Sequence, residues 1–575
     1  MDLTRRSALV LGAAAAAAAF TPAAAAAHPA TGAAFVTRDG TRLRLGGRPF
    51  RFAGTNIYWL GLDENVGGVA YPTSFRIRDA LDTARAMGFT VVRSHMTAST
   101  GNALSILPSK DTGFNDAAFA TVDLAVAHAG SIGLRLILPL TDEWSYYHGG
   151  HRDFTAPYGL PPEAFYTDPR VVADYQAYVS HVMHRVNPLT GVAYNQDPTV
   201  MAWEFGNELE GMTLDWLNAN AARFRQWAPR QLIAAGRRFD LDPDTLAAPG
   251  VDLVDVHYYP PTAARVRADA AAVTAAGKVY IGGEYASTAA TADLLTALAA
   301  DPDVTGMLSW SLFGHHDRNG FVAHDDGFTM HYPGDDARMR AAVDAQIAFA
   351  AAMAPAPARR FTLGAPLVTE LAKRGGLNVL RWRGAAGAAG YRVERARHER
   401  GPWTAAHEGL LTDRDTPWTD PVPPGDVWYR VVPVDRSGRA GTPSSAVPAG
   451  ASDVVLVDPV EDLTLTSAHT AVAAGSGALR PSGPGASVTW SRPAIRAARF
   501  DLTGSGRRPA VEVSADGVTW RSARTRVSRG TLSVTTVDTG HVRLVWPPAA
   551  TTGLVLATLW SADPAPVHAH PPPPG

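Results

Sequence analysis

Eight short apolar runs separated by helix-length segments, with polar or aromatic residues at the carboxyl end of nearly every run, predict an α/β fold whose first part closes into a (β/α)8 TIM barrel. Two later stretches of short alternating strands predict two all-β sandwich modules behind it. The eight runs are RFAGTNIYWL, GFTVVRSHM, LRLILPLTDEW, VMAWEFGNE, RQLIAAG, VDLVDVHYYP, KVYIGGEYAS and VTGMLSWSLFGHH. Their near-continuous apolarity fits parallel strands covered on both faces. Segments such as RIRDALDTARAMG and AAFATVDLAVAHAGSIG are long enough to be the crossover helices. A doubly wound sheet would need the same elements, but polar residues gathered at the strand ends favour the barrel, which builds its sites there.

The barrel is assigned to residues 34–354 and is expected to carry its own core, so that a chain ending near Ala354 should fold alone. PAPARR marks a linker at 355–360. Composition adds exclusions. The 575 residues are too many for one compact domain, and a net charge of −2 lacks the clustered cations that nucleic acid demands. Cysteine is absent, which excludes disulfides, thiolate metal sites and a cysteine nucleophile.

MDLTRRSALVLGAAAAAAAFTPAAAAAHPA pairs Arg5 and Arg6 ahead of an apolar run and small residues near Ala27. It reads as a twin-arginine export signal over residues 1–27, too short and too rich in alanine to span a bilayer. The mature chain is expected to be secreted, with no membrane contact after signal removal, and to act as a monomer.

The strand ends supply Trp59, Arg93, Trp144, Asn207 and Glu208, His257 and Tyr259, Glu284, and Trp310. Glu208 ends strand four and Glu284 strand seven, so a barrel sets them across its mouth. Facing carboxylates flanked by aromatic platforms are what glycoside cleavage needs: one protonates the leaving oxygen and the other attacks or activates water. A lone glutamate at a strand end is ordinarily a solvated charge; the succession Asn-Glu, His-x-Tyr, Glu and Trp is not explained that way.

At these residues the chain resembles a glycoside hydrolase of clan A, family five, and is most similar to the bacterial endo-β-1,4-mannanases. FAGTNIYWL, VVRSHM, AWEFGNE, VHYY, GGEYAS and LSWSLF follow that family's pattern in order over residues 34–354. The resemblance implies that Glu208 is the acid/base and Glu284 the nucleophile of a retaining reaction. It implies that Asn207 bonds the sugar 2-hydroxyl, that Arg93 and Tyr259 hold Glu284, that His257 orients the acid/base side, and that Trp310 is the stacking floor. Trp59 and Trp144 complete the candidate binding residues. Beside Arg93, Glu284 is expected below the ordinary carboxyl range, and Glu208, with no cation named for it, is expected to stay protonated. The implied substrate is a mannan-type polysaccharide, with no cofactor and no metal; another β-glycan hydrolase, or a non-catalytic polysaccharide binder, are the alternatives.

Three stretches remain. The loop of residues 310–336 gathers His315, His316, His324 and His331 with Asp317, Asp325 and Asp326, without ligand spacing, and reads as a substrate-lining loop. DEWSYYHGGHRDF, residues 142–154, reads as an aromatic sugar platform. Glu143 and Glu210 read as network or surface carboxylates. Residues 361–449, with Trp382, Tyr391 and Tyr429, resemble a fibronectin type III module. Residues 453–563, through VEVSADGVTW, resemble a galactose-binding-like β-sandwich, a candidate carbohydrate-binding module. Its Trp490, Trp520, Trp546 and Trp560 are expected to be mostly core. Residues 564–575 read as a disordered tail.

Overall fold

The computed structural model describes residues 34–354 and 361–561, apart from 375, 423–426, 450–453, 462, 464, 476–477 and 529. The export signal, the 355–360 linker and the tail therefore lie outside the described residues. No helix among the described residues is long and apolar enough to cross a membrane.

Eight parallel strands close into a barrel: β1 Phe52–Asn56, β2 Val91–Arg93, β3 Arg135–Pro139, β4 Val200–Glu204, β5 Leu232–Arg237, β6 Leu253–Tyr258, β7 Val279–Ala286 and β8 Gly306–Trp310. Seven lie within the expected runs, and β5 runs one residue past its own, to Arg237. The barrel shuts where Gly306 pairs with Phe52, and Gly306 is required there because a Cβ would meet the Phe52 ring. The interior is filled by Val91, Ile137, Ala202, Ala234, Ile281 and Leu308. Val36 and Leu43, from an N-terminal three-stranded antiparallel sheet, join that cluster and plug one end.

Capping residues set where the crossover helices begin. Thr73, Thr213, Thr262 and Thr291 each accept a backbone N–H three residues on, as Asp336 does for Ala337–Met353, each cap contributing about 1 kcal/mol. Gly133, with φ of +81°, ends helix Phe119–Ile132 in the left-handed conformation that glycine adopts freely.

After the barrel, three strands (Leu367–Arg374, Leu377–Arg383, Trp418–Thr419) face four (Gly390–Ala396, Thr404–Ala405, Trp428–Val434, Val447–Pro448), with Trp382, Tyr391 and Tyr429 buried between them. The first of these sheets does not stop near residue 450. Leu367–Arg374 pairs with Val454–Asp458, which pairs with Gly553–Ser561, so one hydrogen-bonded sheet runs into the last β-rich region. There Trp490 and Trp546 are core, while Trp520 and Trp560 are only partly buried.

The barrel is tied to the first sandwich by side-chain contacts. His315, in the loop after β8, bonds Asp79 of helix Ser74–Ala86 through Nδ1 at 2.8 Å, and its Nε2 lies 3.4 Å from Asp413 of that sandwich. Thr369 Oγ1 donates to Arg318 O at 2.7 Å, Arg414 to Asp335 O at 3.2 Å, and the Arg383 guanidinium lies 3.6 Å over the Phe75 ring. An expectation of independent folding to Ala354 has to contend with this contact, because removing the sandwich would uncover Phe75 and leave the buried His315 and Asp79 facing water.

Candidate active site

Arg93 organises the mouth of the barrel. At the end of β2 and fully buried, it has five N–H groups and uses all of them. Nε and Nη2 grip both oxygens of Glu204 at 2.8 and 2.9 Å; Nη2 also donates to Asn207 Oδ1 at 2.8 Å; Nη1 donates to Glu284 Oε1 at 2.8 Å and Asn56 Oδ1 at 3.2 Å. Because no water or sugar can reach it, Arg93 acts on the carboxylates and the amide, and its expected place among substrate-binding residues is corrected to one behind them.

Glu284 is aimed by an irregularity in β7. The pairing with β6 slips between Ile281 and Glu284, and that with β8 between Gly282 and Tyr285. Such a bulge re-aims the side chains beyond it. Gly283 makes room for it: a Cβ there would coincide with the buried Asp255 carboxylate. Tyr259 OH completes the grip on Glu284, donating to Oε2 at 2.7 Å.

Glu208 arrives differently. It has φ of +55°, a left-handed conformation that costs a non-glycine residue of order 1 kcal/mol and recurs at functional positions. His257 Nδ1 lies 2.7 Å from its Oε1, and Trp144 Nε1 donates to its Oε2 at 2.6 Å. An oxygen of Glu208, an oxygen of Glu284 and a ring nitrogen of His257 fall within 4.8 Å of one another.

Electrostatics reverse the expected protonation. Burial pushes Glu284 up, Glu208's charge adds to it, and His257, Arg93 and the Tyr259 bond only partly offset it, leaving Glu284 at about 7. Burial also pushes Glu208 up, but the His257 bond and charge and the Trp144 N–H bring it below the ordinary range. His257, although buried, is held well above 6.5 by the charges of Glu284 and Asp255 and by its bonds to Asp255 and Glu208. The expectation that Arg93 keeps Glu284 low is corrected, because burial beside a second carboxylate outweighs that one cation. Glu208 has a cation of its own in His257.

The aromatic residues divide. Trp310 is half-buried, stacks on Tyr58 at 4.9 Å and 9°, and is anchored by its Nε1 to Asp326 at 2.8 Å. Trp144 is 38% exposed and has the Arg238 guanidinium 4.4 Å over its ring. Tyr146, 44% exposed, lies within the charge field of Asp142, Glu284 and Glu208, so the 142–154 loop does bring an aromatic ring to the mouth. Trp59 is a correction: at 0% exposure it packs on Phe313 and under Arg76, and its Nε1 donates to Leu312 O. It is core, and no sugar can stack on it.

The histidines of the 310–336 loop are dispersed, His315 to Asp79, His324 to Asp326 and His331 to Asp335. Among the described residues the groups that bring three ligand-type atoms together lie elsewhere: Glu208, His257 and Glu284, and His95, Asp142 and His148. Glu143 accepts from Tyr166 and from Glu210 N, and Glu210 pairs with Arg237 and Arg238, as network carboxylates do. Sequence reasoning missed Glu204 and Asp255, and it gave Asp142, at the head of the 142–154 stretch, no role in the site. The signal for the first two was a charge inside an otherwise apolar, fully buried strand, which needs a partner.

Residues 33–247 match the family model described as GH family 5 beta-mannosidase-like. Arg93, Asn207 and Glu208 fall within the match; His257, Tyr259, Glu284 and Trp310 lie beyond it. Among curated proteins the chain is similar to putative mannan endo-1,4-beta-mannosidase 4 of Arabidopsis thaliana, 29% identical over 248 residues, which are 39% of this chain and 59% of that protein. It is similar to mannan endo-1,4-beta-mannosidase 1 of Oryza sativa subsp. japonica, 30% identical over 268 residues, 40% of this chain and 60% of that one. The chain thus spans about 60% of the length of these relatives. Among solved structures it is similar to the endo-1,4-beta-mannanase from Rhizomucor miehei, at 22% identity and a TM-score of 0.47, covering 55% of this chain and 99% of that one.

Proposed function

We propose that this chain is a retaining glycoside hydrolase that cleaves internal β-1,4-mannosidic bonds in mannans, with Glu284 as nucleophile and Glu208 as acid/base. The observation that carries the reading is the approach of the two carboxylates, with oxygens within 4.8 Å. Retaining enzymes hold their carboxyl groups about 5 to 5.5 Å apart, too close for the water that an inverting enzyme places between sugar and base. The names of the curated relatives support mannan as the polymer.

In the first step the Glu284 carboxylate attacks the anomeric carbon while a proton passes from Glu208 to the leaving oxygen, and the glycosidic bond breaks. In the second, Glu208 takes a proton from water, which attacks the same carbon and displaces Glu284. The proton is at hand. Imidazolium with carboxylate and imidazole with carboxylic acid are two forms of the same His257–Glu208 pair, differing in which side of a 2.7 Å bond the proton occupies. Arg93 and Tyr259 donate to opposite oxygens of Glu284, which favours the anion at the moment of attack. Trp310 offers a half-buried ring face beside these groups for the reacting sugar.

The proposal extends to the rest of the chain. Residues 1–27 export it by the twin-arginine route, and the mature protein works as a monomer. Residues 361–449 form a fibronectin type III-like module, a reading the three-on-four strand arrangement supports, and 453–563 form a galactose-binding-like sandwich that takes up carbohydrate. The test is hydrolysis of a panel of mannan, glucomannan, cellulose and mixed-linkage β-glucan with chromatographic analysis of products. Release of mixed-length oligosaccharides from mannan is expected; preferential attack on cellulose or β-glucan would move the substrate, and no release from any polymer would end the enzymatic reading.

A further inference from the structure

The loop after β3 reaches the site through Asp142, its first charged residue. The segment runs beside the Asn207 segment as a short extension of the barrel ladder: Asn207 N donates to Thr141 O at 2.9 Å and Glu143 N to Asn207 O at 2.9 Å. Side chains follow the backbone. Asn207 Nδ2 donates to Asp142 Oδ1 at 3.0 Å, an oxygen that also accepts Trp144 N at 3.0 Å. The other oxygen faces His148 Nε2 at 2.9 Å and His95 Nδ1 at 3.4 Å. Donors thus hold both oxygens of a fully buried carboxylate, which can neither rotate nor pick up a proton without losing one. Burial alone would raise it, but the two histidine bonds keep Asp142 below the ordinary range.

The consequence falls on Asn207. An amide can be turned over at little cost when its partners are ambiguous, and here they are not. Arg93 has only donors to offer and an ionised carboxylate only acceptors, so Oδ1 must face Arg93 and Nδ2 must face Asp142. One Nδ2 hydrogen is consumed by Asp142. The second has no protein partner among the described residues. Resting on the proposed reaction, we infer that Asp142 is a positioning residue that fixes the Asn207 amide and so reserves one of its N–H groups for the 2-hydroxyl of the sugar being cleaved. A contact to that hydroxyl strengthens as the ring approaches the oxocarbenium ion, so its misplacement should appear in kcat more than in KM.

The test uses the full-length protein, an aryl β-mannotrioside, and the same compound lacking the 2-hydroxyl on the reacting ring. Asp142→Ala removes the acceptor on which Asn207 Nδ2 is anchored. It should lower kcat on the first substrate by about 10²-fold, the scale of one lost transition-state donor, with KM changed less than about threefold, and should cost little on the second. In the double variant with Asn207→Ala the two losses should not multiply. Equal losses on both substrates, or losses that multiply, would overturn the role. A wild type that cleaves neither compound would instead refute the proposed reaction. A second measurement needs no variant at residue 142. With selective ¹⁵N-asparagine labelling of the wild type, one Asn207 Nδ2 proton should be protected from exchange and the other should be the one moved by a bound mannoside. Two freely exchanging protons would refute the inference even if Asp142→Ala fails to fold.

Discussion

His257 Nδ1 stands 2.7 Å from Glu208 Oε1, so a single proton serves both groups. The same imidazolium lies 3.4 Å from Glu284 Oε2 and lowers its affinity for protons. As the proposed nucleophile, Glu284 must be ionised to attack, so kcat/KM on an aryl mannoside should rise with pH through about 7 in the free enzyme. His257→Gln removes the positive charge and should move that limb upward, costing more at pH 6 than at pH 8. An unmoved limb in the pH profile would mean that His257 does not set the state of Glu284.

Glu208→Ala removes the proposed proton donor and should slow cleavage of mannan by at least about 10². An aryl mannoside whose leaving group needs no proton should lose much less in the first step, visible as a burst of phenol followed by slow turnover. Wild-type rates on mannan would remove Glu208 from the chemistry.

A 2-deoxy-2-fluoro mannoside with a good leaving group should trap a covalent sugar, because fluorine slows both steps and an activated leaving group spares the first. Peptide mapping should place the label on Glu284. Label on Glu143 or Glu210 would reassign the nucleophile. The gluco isomer should label more slowly, though one hydroxyl in an open cleft discriminates by only a few kcal/mol.

His315 is buried between Asp79 and Asp413. Burial alone would lower it, but those two charges push it up to about 10. Raised in the folded state, it contributes stability that is fully present below about pH 6.5 and is lost as pH rises through about 10. His315→Gln should therefore lower stability at pH 6 by about 3 kcal/mol, the cost of breaking a buried pair, and by progressively less toward pH 10, measured by denaturant unfolding. A chain ended at Ala354 should be less stable than the whole protein, and one that melts at the same temperature would show that the contact contributes nothing.

How far the sequence could be read depends on which physical signal each residue leaves. Strands β1 to β8, Glu208 and Glu284 were legible because buried runs and sudden polarity are local properties, whereas Glu204 at the end of β4 was not. Trp59 was not: it sits in a single turn, Tyr58–Leu60, where rotation decides which of two adjacent aromatic rings faces the mouth, and only packing on Phe313 settles it. The protonation order of Glu208 and Glu284 was illegible for another reason. It follows from burial and from the convergence of His257, Asp255 and Arg93, which neighbour one another only once the barrel has closed. Asp142, at the head of the 142–154 stretch, showed no role until the Asn207 segment was set beside it, and the tie between His315 and Asp413 joins residues nearly a hundred positions apart.

The ladder that carries Leu367–Arg374 through Val454–Asp458 to Gly553–Ser561 has a bearing on how such a chain can be inherited. A genetic crossover near residue 450 would look harmless in the sequence, falling between two stretches that each resemble a self-sufficient unit. In the folded chain it would strip the partner from one side of Glu370, Leu371 and Ala372 and leave a row of unpaired backbone groups on each fragment, an invitation to pair with strangers. The two rear regions are therefore expected to travel together through recombination, as a single heritable piece.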